Sequence, residues 1–503
     1  MTIPSRDLIQ ALQQVWPGLP LAAVLSDLPD HVRLIADSRE VQPGDVFVAV
    51  PGSQQDGRDF IDTALEAGAA LVLSHARDGE IDFEGGILPL PSLSLRLGEF
   101  GRTLFRVPEG LDVIAVTGTN GKSSVTHYIA ELSERLGTPA GLIGTLGGGR
   151  CGDLSESGLT TPGPLALQAT LGSLASQGVK RVALEASSHA LDQNRLDAVN
   201  VNVGVFTNLS RDHLDYHGSM AAYAAAKAKL FRRAELSLAV VNGDDPLARL
   251  MLSGCADKVR VLASGQHEAV TLRVLEWHPH ADGQQAVIAT PDEEKVLDLA
   301  LMGRFNLDNV LLAMATLYGM GEKIDDLVAA AKLLTPVPGR MELHRKTGFP
   351  SMVVDYAHTP DALHNALVAL KAHLGTKARL WCVFGCGGER DVGKRAEMAK
   401  KADQHADAVV VTDDNPRNEA PEVIRTMIMQ GFSDVSMADG KVVEIAGRRQ
   451  AIAYAAANAA AEDVILVAGK GHEAYQEING LRHHYRDSDE VNKALNGRND
   501  ACN

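Results

Sequence analysis

The sequence predicts an α/β chain of three domains built on mostly parallel sheets. Short apolar runs that end in glycines or charges alternate with helical patterns, which places helices on both faces of parallel strands. The chain has 503 residues, 45% of them hydrophobic, enough for several cores rather than one. A glycine-rich stretch, Gly118 to Ser124, lies between an apolar run and an amphipathic pattern, the order strand, tight loop, helix.

Residues 1–110 form the first segment, with the strand-like runs DVFVAV and AALVLS and a helical stretch between them. Residues 111–338 form the second, which opens on LDVIAVTG, carries KRVALEASSH and VNVGVFTNLS as buried strands with polar ends, and closes on the Pro-rich TPVPGR. Residues 339–503 form the third, with strands expected in SMVVDYAHTPDAL, RLWCVFGCGG, DAVVVTDDNPR and EDVILVAGKGHE. In such sheets functional groups gather beyond the carboxyl ends of the strands. Most motifs considered below fall there; those of the first segment and the helix AYAAAKAKLF do not.

Composition narrows the partners. The net charge is -16, from 64 acidic and 48 basic residues, and sequence-independent nucleic-acid binding needs the opposite balance. Five scattered cysteines, Cys151, Cys255, Cys382, Cys386 and Cys502, have neither paired zinc spacing nor the even count of a secreted disulfide framework. The N-terminal MTIPSRDLIQALQQVW lacks the apolar core of a signal peptide, and no apolar run is long enough to span a bilayer. A cytoplasmic protein with no membrane partner is expected, and a monomer is the default.

The strongest local signal is Gly118-Thr119-Asn120-Gly121-Lys122-Ser123-Ser124 ahead of the helix SSVTHYIAELSERL. Backbone N–H groups of such a loop surround phosphates, the helix N-terminus adds positive potential, Lys122 reaches the terminal phosphates and the Ser123 hydroxyl approaches Mg²⁺. Val116 stands where the general pattern has its first glycine, so the loop is a shorter variant. The alternative is a glycine turn before an ordinary helix. Glu185 ends a strand and offers the oxygen that Mg²⁺ prefers, whereas His213, after GVFTNLS, alone reads equally as a hydrogen-bonded loop residue. Lys227 and Lys229 read as solvated helix lysines. In the third segment Arg390 and Arg417 follow neighbouring strands, and a guanidinium fork suits bidentate capture of a carboxylate. Glu473 offers a counter-charge for an ammonium group. Surface ion pairing is the rival reading of both arginines.

Taken together and in order, DSR, PGSQQDG, VTGTNGKSS, TTPG, EASSHALDQNRL, FTNLSRDHLDYHG, AAKAKL, GRFNLDN, PGRME, VDYAHTPDAL, FGCGGERDVGKR, DDNPR and GKGHE resemble the Mur ligase family, and within it the MurE type, over nearly the whole chain. The resemblance implies an N-terminal UDP-binding domain, a central P-loop-type ATPase domain and a C-terminal Rossmann-like domain. It implies an ATP-dependent ligase of peptidoglycan precursor synthesis that activates a peptide carboxylate as an acyl phosphate and joins it to an amino acid. ATP would meet Gly118 to Ser124, Asn306, Asn309, Arg340 and Asp355. Ser123, Glu185, His213 and Lys227 match the metal positions, with Lys227 as the lysine that takes up CO₂ to become a carbamate. Lys122, Glu185, His213 and Lys227 thus form the implied catalytic set. UDP-MurNAc-L-Ala-D-Glu would meet Ala36, Ser38, Ser53, Gln54, Gln55, Thr160, Thr161, Ser187, Gln193, Arg195 and Lys227. Leu159 departs from a polar residue of some members, and Ser123-Ser124 replaces the commoner Thr-Thr.

The run Asp414-Asn415-Pro416-Arg417 marks members that add meso-diaminopimelate, and members that add lysine lack the arginine. Physics agrees: the distal carboxylate of meso-diaminopimelate can be clamped by Arg390 and Arg417, which lysine leaves unpaired. Gly469 and Glu473 would hold the distal amino group. The rivals are a ligase of the same fold adding lysine or a folate glutamate, and a nucleotide switch that hydrolyses ATP without an amino acid.

Overall fold

The computed structural model describes residues 2–19, 28–52, 55–76, 83, 85–155 and 158–497. They fall into two compact units: residues up to 117 with 138–204 and 213–236, and residues 118–137, 205–212 and 237–497. Among the described residues no helix is long and apolar enough to cross a membrane.

The first unit begins with a five-stranded sheet. Thr2–Pro4 runs antiparallel to His31–Ile35, and Val46–Ala49, Leu71–His75 and Ile87–Leu90 follow in parallel. The period of two along a strand decides what each face buries. Val46, Val48, Leu71 and Leu73 pack with helices Ser5–Val15 and Leu93–Leu104, whereas Phe47, Ala49 and Val72 pack with Ala64 of helix Ile61–Glu66 on the other face. In the same unit Asp112–Thr117 pairs in parallel with Arg181–Glu185, which pairs in parallel with Ala140–Gly144. Antiparallel ribbons Gly147–Arg150 and Asp153–Ser155 extend that edge. Pro164 opens helix Pro164–Ser176, where its missing N–H costs nothing, and Ser187 and Ser219 cap helices Ser188–Asp192 and Met220–Ala228 by accepting backbone N–H bonds.

In the second unit Leu238–Asn242, Arg260–Gly265 and Leu272–His280 run parallel, and Gly283–Ala289 and Glu294–Leu299 continue antiparallel. Helix Arg304–Gly319 packs against helix Lys122–Arg135, which leads from the glycine loop. A six-stranded sheet follows. Glu342–His344 lies antiparallel to Ser351–Asp355, and Val464–Ala468, Leu380–Phe384, Ala408–Val411 and Val442–Glu444 then run parallel in that spatial order. The last long strand in sequence is thus inserted between the second and third. Alternate residues of these strands feed two separate cores: Val353, Cys382, Phe384, Val409 and Leu466 on one face, Met352, Val354, Trp381, Val383, Val410 and Val467 on the other. Cys382 and Cys386 are core residues, and burial pushes both thiols up.

Four of the chain segments that carry the third-domain motifs leave the carboxyl ends of this sheet. Beneath them the Arg448–Asp487 pair is fully enclosed, with Nε and Nη2 of the guanidinium each 2.7 Å from a carboxylate oxygen. The same guanidinium donates to the Ala468 carbonyl at 2.8 Å and the Asp413 carbonyl at 3.4 Å, so one cation ties two strand ends together. Burial works against its charge, while Asp487 raises its pKa further. Arg448→Met leaves Asp487 enclosed without its counter-ion and is expected to lower unfolding stability by about 3–5 kcal/mol, read in urea unfolding. A loss under ~1 kcal/mol would show the pair to be dispensable.

Candidate functional site

The glycine loop is shaped by contacts within the second unit. Gly118 has φ 152°, and a Cβ there would collide with the Thr207 hydroxyl, so no side chain fits. The Thr119 hydroxyl accepts the Ser210 N–H at 3.0 Å, and Asn208 Oδ1 accepts the Asn120 N–H at 3.0 Å. Asn208 was not singled out from the sequence, although it ends the apolar run that precedes it. Lys122 folds over the loop, its Nζ donating to the Gly118 and Thr119 carbonyls at 2.9 Å each. Ser123 and Ser124 are buried in the first turn of the helix. Asn309 lies against the loop, where a Cβ on Gly121 would stand 2.6 Å from its Oδ1. One turn away, Asn306 accepts from the Tyr128 hydroxyl at 3.2 Å and donates to the Met302 carbonyl at 2.8 Å. The two asparagines named from sequence are thus buried, and Asn309 meets the glycine loop itself. Backbone donors, a lysine and a helix start at one cradle are the donor set an oligophosphate takes.

In the first unit a second group of residues converges. Glu185, 2% exposed, accepts the Thr145 N–H at 2.8 Å and the Thr145 hydroxyl at 3.2 Å. The strand end at Gly144 lies so close that a Cβ there would overlap the Glu185 carboxylate. Thr145 also reaches Thr160 at 3.1 Å, while Thr161 donates to the Glu185 carbonyl at 2.7 Å and lies 3.1 Å from the Ser187 hydroxyl. Arg195 donates to the Thr161 carbonyl at 2.7 Å and to Gln193 Oε1 at 2.6 and 3.0 Å. Thr160, Thr161, Glu185, Ser187, Gln193 and Arg195, all expected from sequence, therefore share one hydrogen-bonded network, with Thr145 as the member that was missed. Leu159 beside it is exposed.

His213 is exposed and takes a left-handed φ of 50°. Its ring lies 4.9 Å from that of His189 and 6.2 Å from that of Tyr223. Burial, then the charges of His213 and His217, hold the His189 imidazole below its ordinary pKa. The same Tyr223 ring carries Lys227, with Nζ 4.5 Å from its centroid. Lys227 is 1% exposed, which corrects its reading as a solvated lysine, whereas Lys229 is exposed and paired with Asp192 at 2.9 Å. One of the two lysines is enclosed and the other lies at the surface, a distinction spacing alone did not draw.

Among the described residues no three His, Cys, Asp or Glu side chains converge as a metal nest. Taken each within its own unit, the Glu185 carboxylate and the Ser123 hydroxyl are oxygen donors of the kind a hard cation prefers. In the N-terminal sheet Ala36 and Ser38 follow strand His31–Ile35, with Asp37 accepting the Arg39 N–H at 3.0 Å, and Gln55 closes a turn with the Gly52 N–H after strand Val46–Ala49. Ser53 and Gln54 lie outside the described residues.

The remaining expected residues cluster at the six-stranded sheet. The Arg340 guanidinium sits 4.7 Å over the Tyr356 ring, and Asp355 accepts the Met341 and Ala357 N–H groups at 2.8 and 2.9 Å. Burial raises the Asp355 carboxyl, and the Arg340 charge and those two N–H bonds act in the other direction. Arg417, with φ 53°, donates Nη1 to the Gly388 carbonyl at 2.6 Å. A Cβ on Gly387 would stand 3.0 Å from that Nη1 and 3.9 Å from Arg390 Cγ, so both arginines flank one glycine. Arg390 is exposed. The loops are laced by the Gly388 N–H on the Asn415 carbonyl, the Glu389 N–H on Glu419, and the Arg395–Glu419 pair at 2.9 Å. Asp414, Asn415 and Pro416 are buried, Asn415 Nδ2 donates to Glu473 Oε2 at 2.9 Å, and Gly469 lies 3.4 Å, by its would-be Cβ, from Asp414 Oδ2. Arg417 and the Arg390 side chain thus start from the same loop neighbourhood as the Asn415–Glu473 pair, and arginine forks with a carboxylate are residue types that can take a zwitterion with an extra acidic group.

Residues 33–85 match the model "Mur ligase family, catalytic domain", 116–317 "Mur ligase middle domain" and 339–471 "Mur ligase, glutamate ligase domain". The UDP-N-acetylmuramoyl-L-alanyl-D-glutamate--2,6-diaminopimelate ligase of Pseudomonas aeruginosa is 46% identical over 466 residues, 92% of this chain and 94% of the relative. That of Xanthomonas campestris pv. campestris is 42% identical over 490 residues, 96% and 97% of the two chains. A solved structure of a ligase with the same name superposes with a TM-score of 0.70 at 36% identity, covering 99% of this chain and 100% of the other. A MurF ligase from Thermotoga maritima in complex with ADP shares the fold at 21% identity, with a TM-score of 0.64 over 93% and 98% of the chains. The chain belongs to the Mur ligase family.

Proposed function

We propose that this chain is an ATP-dependent ligase that adds meso-2,6-diaminopimelate to the D-glutamate of UDP-MurNAc-L-Ala-D-Glu through an acyl phosphate, in cytoplasmic peptidoglycan precursor synthesis. The observation that carries the reading is the pair Arg390 and Arg417 flanking Gly387, next to the Asn415–Glu473 hydrogen bond. We further assign residues 1–110 to UDP-sugar binding, 111–338 to ATP and 339–503 to the amino acid, in a protein that works as a monomer.

In this reading the backbone N–H groups of Gly118 to Ser124 and the Lys122 ammonium neutralise the phosphates, and Asn306 and Asn309 contact the adenine side. Arg340 and Asp355 complete the nucleotide contacts. Thr160, Thr161, Ser187, Gln193 and Arg195 orient the peptide so that its terminal carboxylate meets the γ-phosphorus, two anions that repel unless positioned and screened. Ala36, Ser38, Ser53, Gln54 and Gln55 hold the nucleotide sugar. Ser123, Glu185, His213 and a carbamate on Lys227 would hold Mg²⁺, which would supply further charge neutralisation. The carbamate forms when the unprotonated Lys227 amine attacks CO₂ and loses a proton, which turns a cation site into an anion. Arg390 and Arg417 grip the distal carboxylate, Glu473 with Gly469 holds the distal amine, and Asp414, Asn415 and Pro416 shape the turn. The incoming α-amine then displaces phosphate from the activated carboxyl.

Three outcomes test the reading. ADP release with UDP-MurNAc-L-Ala-D-Glu should require meso-diaminopimelate and respond poorly to L-lysine; release indifferent to both substrates would favour a nucleotide switch. Arg417→Ala should raise the KM for diaminopimelate about thirty-fold, the equivalent of one charged hydrogen bond at about 2 kcal/mol, with the KM for ATP nearly unchanged. Unchanged amino-acid kinetics would remove the arginine clamp. Lys227→Ala should lose activity about a hundredfold or more and regain part of it in millimolar formate or acetate. Full activity without added acid would reduce Lys227 to a packing residue.

A further inference from the structure

Lys470 has no role in the reading above, yet it is the most enclosed charge of the amino-acid pocket. Its side chain is 0% exposed. Nζ donates to Asn415 Oδ1 at 2.8 Å and to Glu473 Oε2 at 2.9 Å, and lies 3.6 Å from Asp414 Oδ1. Asn415 Nδ2 donates to the same Glu473 oxygen at 2.9 Å, and Asn415 Oδ1 also accepts the Glu477 N–H at 3.0 Å. Both side-chain donors therefore converge on Oε2, and no hydrogen bond from a described residue reaches Oε1 of Glu473. An enclosed ammonium persists only where anions and acceptors meet its donors, so these contacts are held in one geometry. The charge balance matters as well. Asp414 and Glu473 set two carboxylates against this ammonium, the Arg448 charge also acts on Asp414, and Asp414 Oδ1 is buried with no hydrogen-bond partner.

We propose that Lys470 is a positioning residue for the amino-acid substrate: together with Asn415 it pins one oxygen of Glu473 and leaves the other for the ligand's amine. The inference rests on the proposed function, because the amine concerned is that of the diamino acid. Lys470 touches no reacting atom and acts through Glu473. A purely structural lysine would instead only neutralise the Asp414 and Glu473 carboxylates and affect folding alone.

The two roles separate in a double-mutant cycle of Lys470→Met and Glu473→Gln, followed by the KM for meso-diaminopimelate, the KM for ATP, kcat and thermal unfolding. Lys470→Met should raise the amino-acid KM about tenfold with the ATP KM within about twofold, and this effect should largely vanish in the Glu473→Gln background. A structural role lowers Tm and the active fraction, which scales the apparent kcat and leaves KM alone. Lys470→Gln, which keeps a donor, carries the same cycle if Lys470→Met does not fold. An amino-acid KM within about twofold of wild type in a folded Lys470 variant, or equal effects in both backgrounds, would overturn the positioning role while the ligase reading stands. Wild-type enzyme that releases no ADP with diaminopimelate would overturn both.

Discussion

The organising constraint is the burial of parallel strands on both faces. Every residue of Leu380–Phe384, Ala408–Val411 and Val464–Ala468 is buried, and their alternate side chains feed two different cores. A charged side chain in the middle of such a strand would face apolar core on either side. Charged groups therefore stand at or past the strand ends, and three neighbouring carboxyl ends bring GCGGER, DDNPR and GKGHE together. The same constraint holds in the first unit, where Arg181–Glu185 is buried throughout and its last residue is the glutamate.

Loops at strand ends would move unless their backbone groups were tied, and here most ties are long-range. Arg448, enclosed with Asp487, reaches the carbonyls of Ala468 and Asp413. Glu419 holds Arg395 and the Glu389 N–H, and Arg417 donates to the Gly388 carbonyl. The Thr145, Thr161 and Arg195 bonds do the same around Glu185. A site held by buried, charge-assisted bonds resists the small displacements that weaken binding and catalysis steeply. The lacing also carries a penalty: each enclosed cation needs its partner, so function and stability share residues.

Much of this was legible from the sequence because the informative features are local. An apolar run ending in glycine, a Lys-Ser at a helix start, and Asn-Pro-Arg after a strand each declare a strand end within a few residues. The expected strands appear, from DVFVAV through EDVILVAGKGHE. Thr160, Thr161, Glu185, Ser187, Gln193 and Arg195 meet in one network. Less local features were missed. Thr145 joins Glu185 across 40 residues, and Asn208 joins Asn120 across 88. Lys227 and Lys229 look alike in AYAAAKAKLF, yet one is enclosed beneath Tyr223 and the other pairs with Asp192 at the surface.

By itself the sequence determined where the most apolar strands lie, from Val46–Ala49 to Val464–Ala468, where the phosphate-type loop opens and which residue types stand at those strand ends, because hydrophobic period and glycine placement act over a few residues. Only the tertiary structure decided which of those ends become neighbours, since Val464–Ala468 slots between strands that pair it with residues 84 and 113 positions earlier, Leu380 and Ser351. That insertion brings Lys470 to Asn415, 55 positions away, and encloses a charge that in the linear chain is one lysine among many. Burial and partnership are properties of pairs distant in sequence, and pattern reading has no access to them.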